Sequence, residues 1–186
     1  MLHTSTNGLS TSMFLCTFIF VSINLHLAFA SHHANPNRIT SQTVIIYVVG
    51  VAIYASLTTL MFLKSDDMWG VSDTVTFLIA FVLILISVIY TKVKKVELFD
   101  PIMKGFYGVI LRVIPQIALA LKIAQYGGAG LSAVMVIIFH ILTISRIFQI
   151  SMNIKEVGWD RNRIGLLIAE TGNELSWTLV TVVWLM

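Results

Sequence analysis

Residues 112–132 read RVIPQIALALKIAQYGGAGLS. Pro115 and Gln116 lie side by side in this apolar run, and a glycine-rich break follows it. A proline inside a helix removes one backbone hydrogen bond and crowds the carbonyl group four residues earlier, so the helix kinks or hinges there. In lipid the freed carbonyl needs another donor, which the amide of Gln116 could supply. The stretch therefore indicates a membrane helix that is either hinged beside a polar cavity or statically kinked within a packed bundle.

The composition of the chain indicates an integral membrane protein. Of its 186 residues, 57% are hydrophobic and 11% are charged. Uncharged runs recur that are long enough to cross a hydrocarbon core about 30 Å thick. The single cysteine, Cys16, excludes an internal disulfide and a cysteine-rich metal site. The adjacent His32 and His33 do not converge on one ion without further ligands, so we predict no metal and no cofactor.

Six apolar runs predict an all-α polytopic bundle of about six transmembrane helices. The predicted spans are 13–30, 43–63, 71–91, 102–125, 131–153 and 164–186. The first run ends in Ala28-Phe29-Ala30, an A-x-A pattern typical of signal-peptide cleavage, but no lysine or arginine precedes it. We therefore interpret the first run as a membrane helix, with a cleaved signal peptide as the alternative.

Basic residues concentrate in alternate loops. One side holds Arg38, Lys92, Lys94, Lys95, Lys104, Lys155, Arg161 and Arg163, and the other holds Lys64 and Lys122. Because positive charge favours the cytoplasmic side, we expect the three basic loops in the cytoplasm and both termini outside, in a plasma (inner) membrane. Cleavage after Ala30 would leave five spans and reverse this orientation, which supports retaining the first span.

The last three spans carry ionisable groups near mid-membrane, whereas the first three carry only His26, close to the end of its span. These groups are Arg112, His140, Arg146, Glu170 and Glu174, accompanied by Gln116, Asn153 and Asn173. A charge near the bilayer centre costs at least about 2.5–3.5 kcal/mol and faces the bundle interior or a wet cavity. The second half of the chain therefore has a polar interior.

Helical spacing places these residues on shared faces. The sixth span carries Glu170, Asn173, Glu174, Trp177 and Thr181 on one face. Arg112, Pro115 and Gln116 share a face of the fourth span, and Thr143 and Arg146 share a face of the fifth, with His140 at its border. Two arginines and two glutamates at similar depth can neutralise one another in a charge layer. Such a layer either fixes helix packing or forms the floor of a solute site.

The residue types suggest separate roles within this interior. We predict solute contacts from Asn173, Trp177, Thr143 and Gln116, because solute sites combine an aromatic wall with a few polar groups. The predicted charge layer consists of Arg112, Arg146, Glu170 and Glu174. Glu170 or His140 could alternatively carry a proton, which would make the protein an ion-coupled carrier.

The Pro-Gln pair belongs to a longer pattern. Pro115 and Gln116 are followed, across the glycine-rich break, by Gly130-Leu131-Ser132 at the start of the next span. This arrangement resembles the PQ-loop repeat of the SWEET and SemiSWEET sugar transporter superfamily, and Asn173 would match the asparagine of that bundle's third helix. The resemblance covers about residues 105–186. It implies a three-helix bundle that pairs with a second bundle around a central solute site, with the Pro-Gln helix rocking to give alternating access.

Two features depart from that family. SWEET-type bundles start outside, whereas the loop charges place the start of the fourth span in the cytoplasm, which is more like the related nicotinamide riboside transporters. Two-bundle members have seven helices with a linker, and this chain has six predicted spans and one Pro-Gln pair. We therefore expect a three-span region at 1–100 and a PQ-loop-like bundle at 101–186. Either the first region is a degenerate bundle, or two chains form a homodimer through their C-terminal bundles.

These patterns predict a facilitative or ion-coupled carrier of a small polar solute such as a sugar, an amino acid or a vitamin precursor, with Pro115 and Gln116 as the hinge. The alternative is a non-transporting scaffold or receptor whose polar layer fixes helix packing. No nucleophile–base spacing, HExxH motif or Gly-Asp protease pair indicates an enzyme. The expected partners are the solute and the lipid bilayer, and no nucleic acid.

Overall fold

The computed structural model describes residues 11–64, 71–126 and 132–186, which fold into six α-helices. They are α1 (Thr11–Ala34), α2 (Arg38–Lys64), α3 (Val71–Lys94), α4 (Pro101–Tyr126), α5 (Ala133–Val157) and α6 (Arg161–Leu185). The glycine-rich break of the Pro-Gln pattern, including Gly130 and Leu131, lies outside the described residues. The all-α, membrane-like architecture predicted from the sequence is confirmed.

Among the described helices, α1 to α5 are long and apolar enough to cross a membrane. Helix α6 has 25 residues, which is sufficient length at about 1.5 Å per residue, but it is more polar than the others. Its polar residues Glu170, Asn173 and Ser176 are buried against neighbouring helices. The sequence predicts six membrane spans, whereas five of the described helices meet the length and composition expected of a membrane span. Helix α6 does not meet them because it carries polar groups, which it directs into the bundle.

Helices α1, α4 and α6 pack against one another and form the centre of the bundle. Helix α1 also contacts α2 and α3, and it continues past Ala30 with Leu27 and Ala28 buried. Helices α2, α3 and α5 lie outside and expose mostly apolar side chains. Helices α2 and α5 approach each other over a narrow contact only. The bundle therefore has a tightly packed core and a loosely closed side between α2 and α5.

Glycines bring α4 and α6 into backbone contact. A Cβ atom placed at Gly105 would lie 2.5 Å from the carbonyl oxygen of Gly165. One at Gly165 would lie 2.3 Å from the carbonyl oxygen of Pro101. One at Gly172 would lie 2.6 Å from Cγ2 of Val109. Small residues at membrane-helix interfaces permit this close approach, and here they fix α6 against the first half of α4.

The three basic loops lie at the same end of the bundle. The amide of Asn37, between α1 and α2, donates to Oδ1 of Asn153 near the end of α5, at 3.3 Å. Asp100, before α4, forms an ion pair with Arg161 at the start of α6. Its Oδ1 also accepts a hydrogen bond from the backbone N–H of Ile102 at 3.0 Å, which caps α4. Asp100 thus links two connections and one helix start.

Asp100 should give the fold a measurable pH dependence. Burial alone would raise its pKa, but the Arg161 guanidinium and the Ile102 N–H hold the pKa of this carboxyl below its usual range. A lowered pKa in the folded state adds stability that is present above the unfolded pKa of about 3.9 and is lost as the pH falls through the folded pKa. The Asp100→Asn variant should therefore melt below wild type at pH 7 by an amount equivalent to about 1 kcal/mol, because Arg161 is largely exposed.

The melting gap should close as the pH is lowered from about 5 through the lowered pKa of the folded state, where the wild-type carboxyl also becomes protonated. Glu97→Gln, in the same loop and exposed, is the matched control and should melt like wild type throughout. Melting curves in detergent across this pH range provide the measurement. A gap for Asp100→Asn that does not change with pH would show that the ion pair has no role in stability.

Candidate functional site

A buried carboxylate, Glu170, lies at the centre of the bundle and has no solvent exposure. Its Oε1 accepts hydrogen bonds from the hydroxyl of Tyr47 at 2.6 Å, from Nη1 of Arg146 at 3.2 Å and from Nδ2 of Asn24 at 3.3 Å. Its Oε2 accepts one from Nδ2 of Asn173 at 3.4 Å. Four donors, one of which is the ion-paired Arg146, offset the cost of burying the charge. Glu170 thereby joins α6 to α1, α2 and α5.

Asn173, one turn after Glu170, is the second junction. Its Oδ1 accepts from Nε of Arg112 at 2.8 Å and from Nε2 of Gln116 at 3.2 Å. Its Nδ2 donates to Oγ1 of Thr143 at 3.3 Å as well as to Glu170. The amide thus uses both its acceptor oxygen and its donor nitrogen. These contacts bring together six of the residues named from the sequence: Arg112, Gln116, Thr143, Arg146, Glu170 and Asn173.

Arg112 is buried without a carboxylate partner within ion-pair distance, among the residues that the structure describes. Its Nη1 donates to Oγ1 of Thr17 at 2.5 Å, in addition to the Nε bond to Asn173. The guanidinium carbon lies 5.1 Å from the centre of the Phe20 ring, in a cation–π contact. Neutral acceptors and an aromatic face therefore stabilise this cation, and no direct counter-charge does.

Glu174 does not join the network of hydrogen bonds around Glu170 and Asn173. It pairs with His140, whose Nδ1 lies 2.5 Å from Oε1 of Glu174, while the other ring nitrogen lies 2.8 Å from Oγ1 of Thr181. The expected layer of two arginines and two glutamates is therefore divided into two groups. The group around Asn173 holds two guanidinium ions and one carboxylate, with formal charges that sum to +1.

Trp177 belongs to a separate apolar cluster. Its ring stacks on that of Phe139 with 4.8 Å between centroids and 15° between planes. Leu119 and Val180 are buried in the same cluster. Trp177 is not among the side chains that line the cavity beside the arginines.

This cavity, of about 410 Å³, lies among α1, α2, α4, α5 and α6. Its polar lining consists of Thr17, Arg112, Thr143, Arg146 and Asn173, and its aromatic lining includes Phe20, Tyr54 and Phe139. The α2 side of the wall is aliphatic, from Ile45 to Ile53. The arrangement can hold a small molecule by polar contacts on one side and apolar contacts on the other. Of the predicted solute contacts, Asn173 and Thr143 line it, while Gln116 and Trp177 do not.

The Pro-Gln pair occupies an unbroken helix, since α4 continues through Pro115. The expectation that Gln116 satisfies the carbonyl freed by Pro115 is not met. The Gln116 amide donates to Asn173 and accepts a hydrogen bond from the hydroxyl of Ser176. The reason is that α6 presents these two polar residues directly opposite Gln116, so the amide joins α4 to α6.

The sequence patterns did not indicate four residues that bond to this group, namely Ser176 on α6 and three residues from the first half of the chain. Those three, Thr17, Asn24 and Tyr47, come from α1 and α2, in the half of the chain whose predicted spans carry His26 as their one ionisable group near mid-membrane. Uncharged polar residues are common in membrane helices, so their presence alone does not indicate a site. The one usable signal was Asn24, an amide in the middle of an apolar run.

Comparison with models of known protein families, with characterised proteins and with solved structures finds no match to this chain. The PQ-loop pattern around Pro115 therefore remains a prediction from the motif. Among the described residues, no group of three or more histidine, cysteine, aspartate or glutamate side chains is arranged to hold a metal ion.

Proposed function

We propose that the protein is a membrane carrier of a small polar solute, and that the cavity beside Arg112 and Arg146 is its binding site. The cavity itself is the observation that carries this proposal. Its volume of about 410 Å³ falls within the range of about 300–1,000 Å³ typical of small-molecule sites. Asn173 and Thr143 supply neutral polar groups beside the two guanidinium ions. Such convergence of polar groups beside an aromatic wall is typical of solute sites.

The packing suggests where such a carrier would open. The glycine contacts hold α6 against the part of α4 before Pro115, whereas α2 and α5 touch only narrowly. Pro115 removes one backbone hydrogen bond and so allows the second half of α4 to tilt relative to the first. In this proposal the loosely closed side between α2 and α5 opens and closes, with Pro115 as the hinge.

The remaining features of the proposal follow from the charges and the motif. The basic loops at one end of the bundle would face the cytoplasm, which leaves both termini outside in a plasma (inner) membrane. The His140–Glu174 pair would carry the proton if transport is coupled to one. The PQ-loop pattern favours a sugar, an amino acid or a vitamin precursor as solute and a homodimer through the C-terminal bundle.

A scaffold or receptor without transport is the second candidate. Glu170 favours it, because three of its four hydrogen bonds join α6 to neighbouring helices, as in a polar layer that only fixes packing. The two candidates differ in whether water and solute reach the cavity, which can be measured directly.

Uptake by proteoliposomes after chemical blocking of the cavity tests the proposal. A background of Cys16→Ala would carry Gly50→Cys, at a position that lines the cavity. The panel of labelled solutes would contain sugars, amino acids and vitamin precursors. We expect a solute of the panel to be taken up. Modification of Gly50→Cys by a water-soluble methanethiosulfonate should reduce its uptake about ten-fold or more, because the attached group fills the site.

The matched control is Leu85→Cys on the exposed apolar surface of α3, which should transport equally well before and after treatment. Added solute should also slow the modification of Gly50→Cys. Uptake that survives full modification would place the transport path elsewhere. Failure of every solute in the panel to enter would favour the scaffold.

A further inference from the structure

We infer that the cavity binds the carboxylate of an amphiphilic monoanion, whose apolar body lies in the groove between α2 and α5. This inference rests on the proposed function, since it names the class of solute that the same cavity takes. It narrows the general description of a small polar solute to molecules with one negative charge and an apolar body.

The charges around the cavity are the first support. Two guanidinium groups line it, Arg112 and Arg146, and among the residues that the structure describes the one carboxylate bonded to them is that of Glu170. Glu174 is engaged by His140, so it does not neutralise the second arginine by direct contact. A buried cation without a counter-charge is unfavourable, and a bound anion removes that cost. The net charge of +1 on this group therefore favours a ligand with a charge of −1.

The hydrogen bonds of the two arginines are the second support. Arg112 uses Nε and Nη1, and Arg146 uses Nη1, in their bonds to other described side chains. Nη2 of each guanidinium has no such bond within the described residues, and both side chains line the cavity. Nε of Arg146 is buried and has no hydrogen-bond partner in the described part of the chain. Guanidinium groups present planar donors that match the two oxygens of a carboxylate.

The apolar surroundings determine the rest of the ligand. A second cavity of about 440 Å³ lies against α2 and α5 and shares Ile46, Leu142 and Arg146 with the first. Phe148 and Met152 add to its apolar wall. An elongated apolar body can extend from the arginines along this groove. The exposure of α2 and α5 side chains on this side opens the groove toward the lipid, so the ligand can enter from the bilayer.

Equilibrium binding of hexanoate to the purified full-length protein tests the inference, with hexanamide as its neutral counterpart and acetate as the same charge without the apolar body. Dialysis with radiolabelled hexanoate at pH 7.5 measures affinity, and unlabelled hexanamide and acetate compete. We expect hexanoate to bind about ten-fold or more tightly than either competitor, because each lacks one of the two recognition elements.

Variants of Arg112 test whether hexanoate binds in this cavity. Arg112→Gln should weaken hexanoate binding about ten-fold or more, and Arg112→Lys, which keeps the charge but loses the planar fork, should weaken it less. Lys104→Gln is the control, because Lys104 is a cation that lines a different cavity, of about 590 Å³. This variant should bind hexanoate as tightly as wild type does. If Arg112→Gln does not fold, the Arg112→Lys variant and the competition with hexanamide still test whether the cavity recognises a carboxylate.

Equal binding of hexanamide and hexanoate, no binding of hexanoate, or a loss caused by Lys104→Gln alone would each overturn the inference. Acetate that competes as well as hexanoate would overturn the apolar part of it. Different results would refute the proposed function and this inference. Hexanoate binding without uptake of hexanoate or of any solute in the panel would refute the carrier, and uptake of a neutral solute without hexanoate binding would refute only the inference.

Discussion

Replacing Glu170 with glutamine is expected to lower the free energy of unfolding by about 3–5 kcal/mol, the cost of breaking a buried ion pair. Glutamine has nearly the same shape, but it removes the charge that accepts from Tyr47, Asn24 and Arg146. Arg146 would then keep its positive charge without a carboxylate partner. Melting temperatures of the purified variant in detergent measure the loss.

A second substitution distinguishes the contributions of Arg146 and Arg112 to the loss of stability. Adding Arg146→Gln to Glu170→Gln should recover part of the loss, because it removes the stranded charge. Adding Arg112→Gln should recover less, since Arg112 bonds to Thr17 and Asn173 and not to the carboxylate. Equal recovery by both would mean that Glu170 stabilises the two cations alike through the field of its charge. A fully stable Glu170→Gln protein would contradict the central role of this carboxylate.

The change of Gly165 to alanine is expected to cost about 3 kcal/mol, at the upper end of the usual cost of overpacking. The added Cβ would lie 2.3 Å from the carbonyl oxygen of Pro101, which is a backbone atom and cannot rotate away. Helices α4 and α6 must separate to admit it. Thermal melting measures the stability, and disulfide trapping between cysteine pairs across the two helices measures the separation.

Gly50 provides the matched control. It also lies within a helix, but a Cβ atom there would lie 3.9 Å from Val21 Cγ1, an ordinary contact distance. Gly50→Ala should therefore be neutral or stabilising by up to about 1 kcal/mol, because alanine favours the helix more than glycine does. Similar melting of the two variants would show that the close approach of α4 and α6 does not limit the fold.

Some of this arrangement could be predicted from the sequence, since it depends on local pattern. The apolar runs fix the helical, membrane-like class. The spacing of Glu170 and Asn173 places them on one face of a helix whatever its neighbours are. Arg112 and Gln116 share a face of α4 for the same reason, and both meet Asn173.

Other parts depend on how the helices rotate and slide against one another. Glu174 lies on the same predicted face as Glu170, yet it pairs with His140 of α5 and not with an arginine. Tyr47 and Asn24 meet Glu170 only because α1 and α2 pack against the second half of the chain. Nothing local to those residues indicates which partner they will have.

The polarity of α6 has a consequence for how the protein is assembled in the cell. A segment that carries Glu170, Asn173 and Glu174 partitions poorly from the translocon into lipid by itself. Its hydrogen-bond partners Asn24, Tyr47, Arg112 and Arg146 all precede it in the chain. In the proposed membrane carrier, synthesis would deliver α6 after these partners, and we expect α6 to enter the membrane by docking on them. Biogenesis of this protein is expected to be ordered, with the earlier helices serving as an intramolecular chaperone for the last.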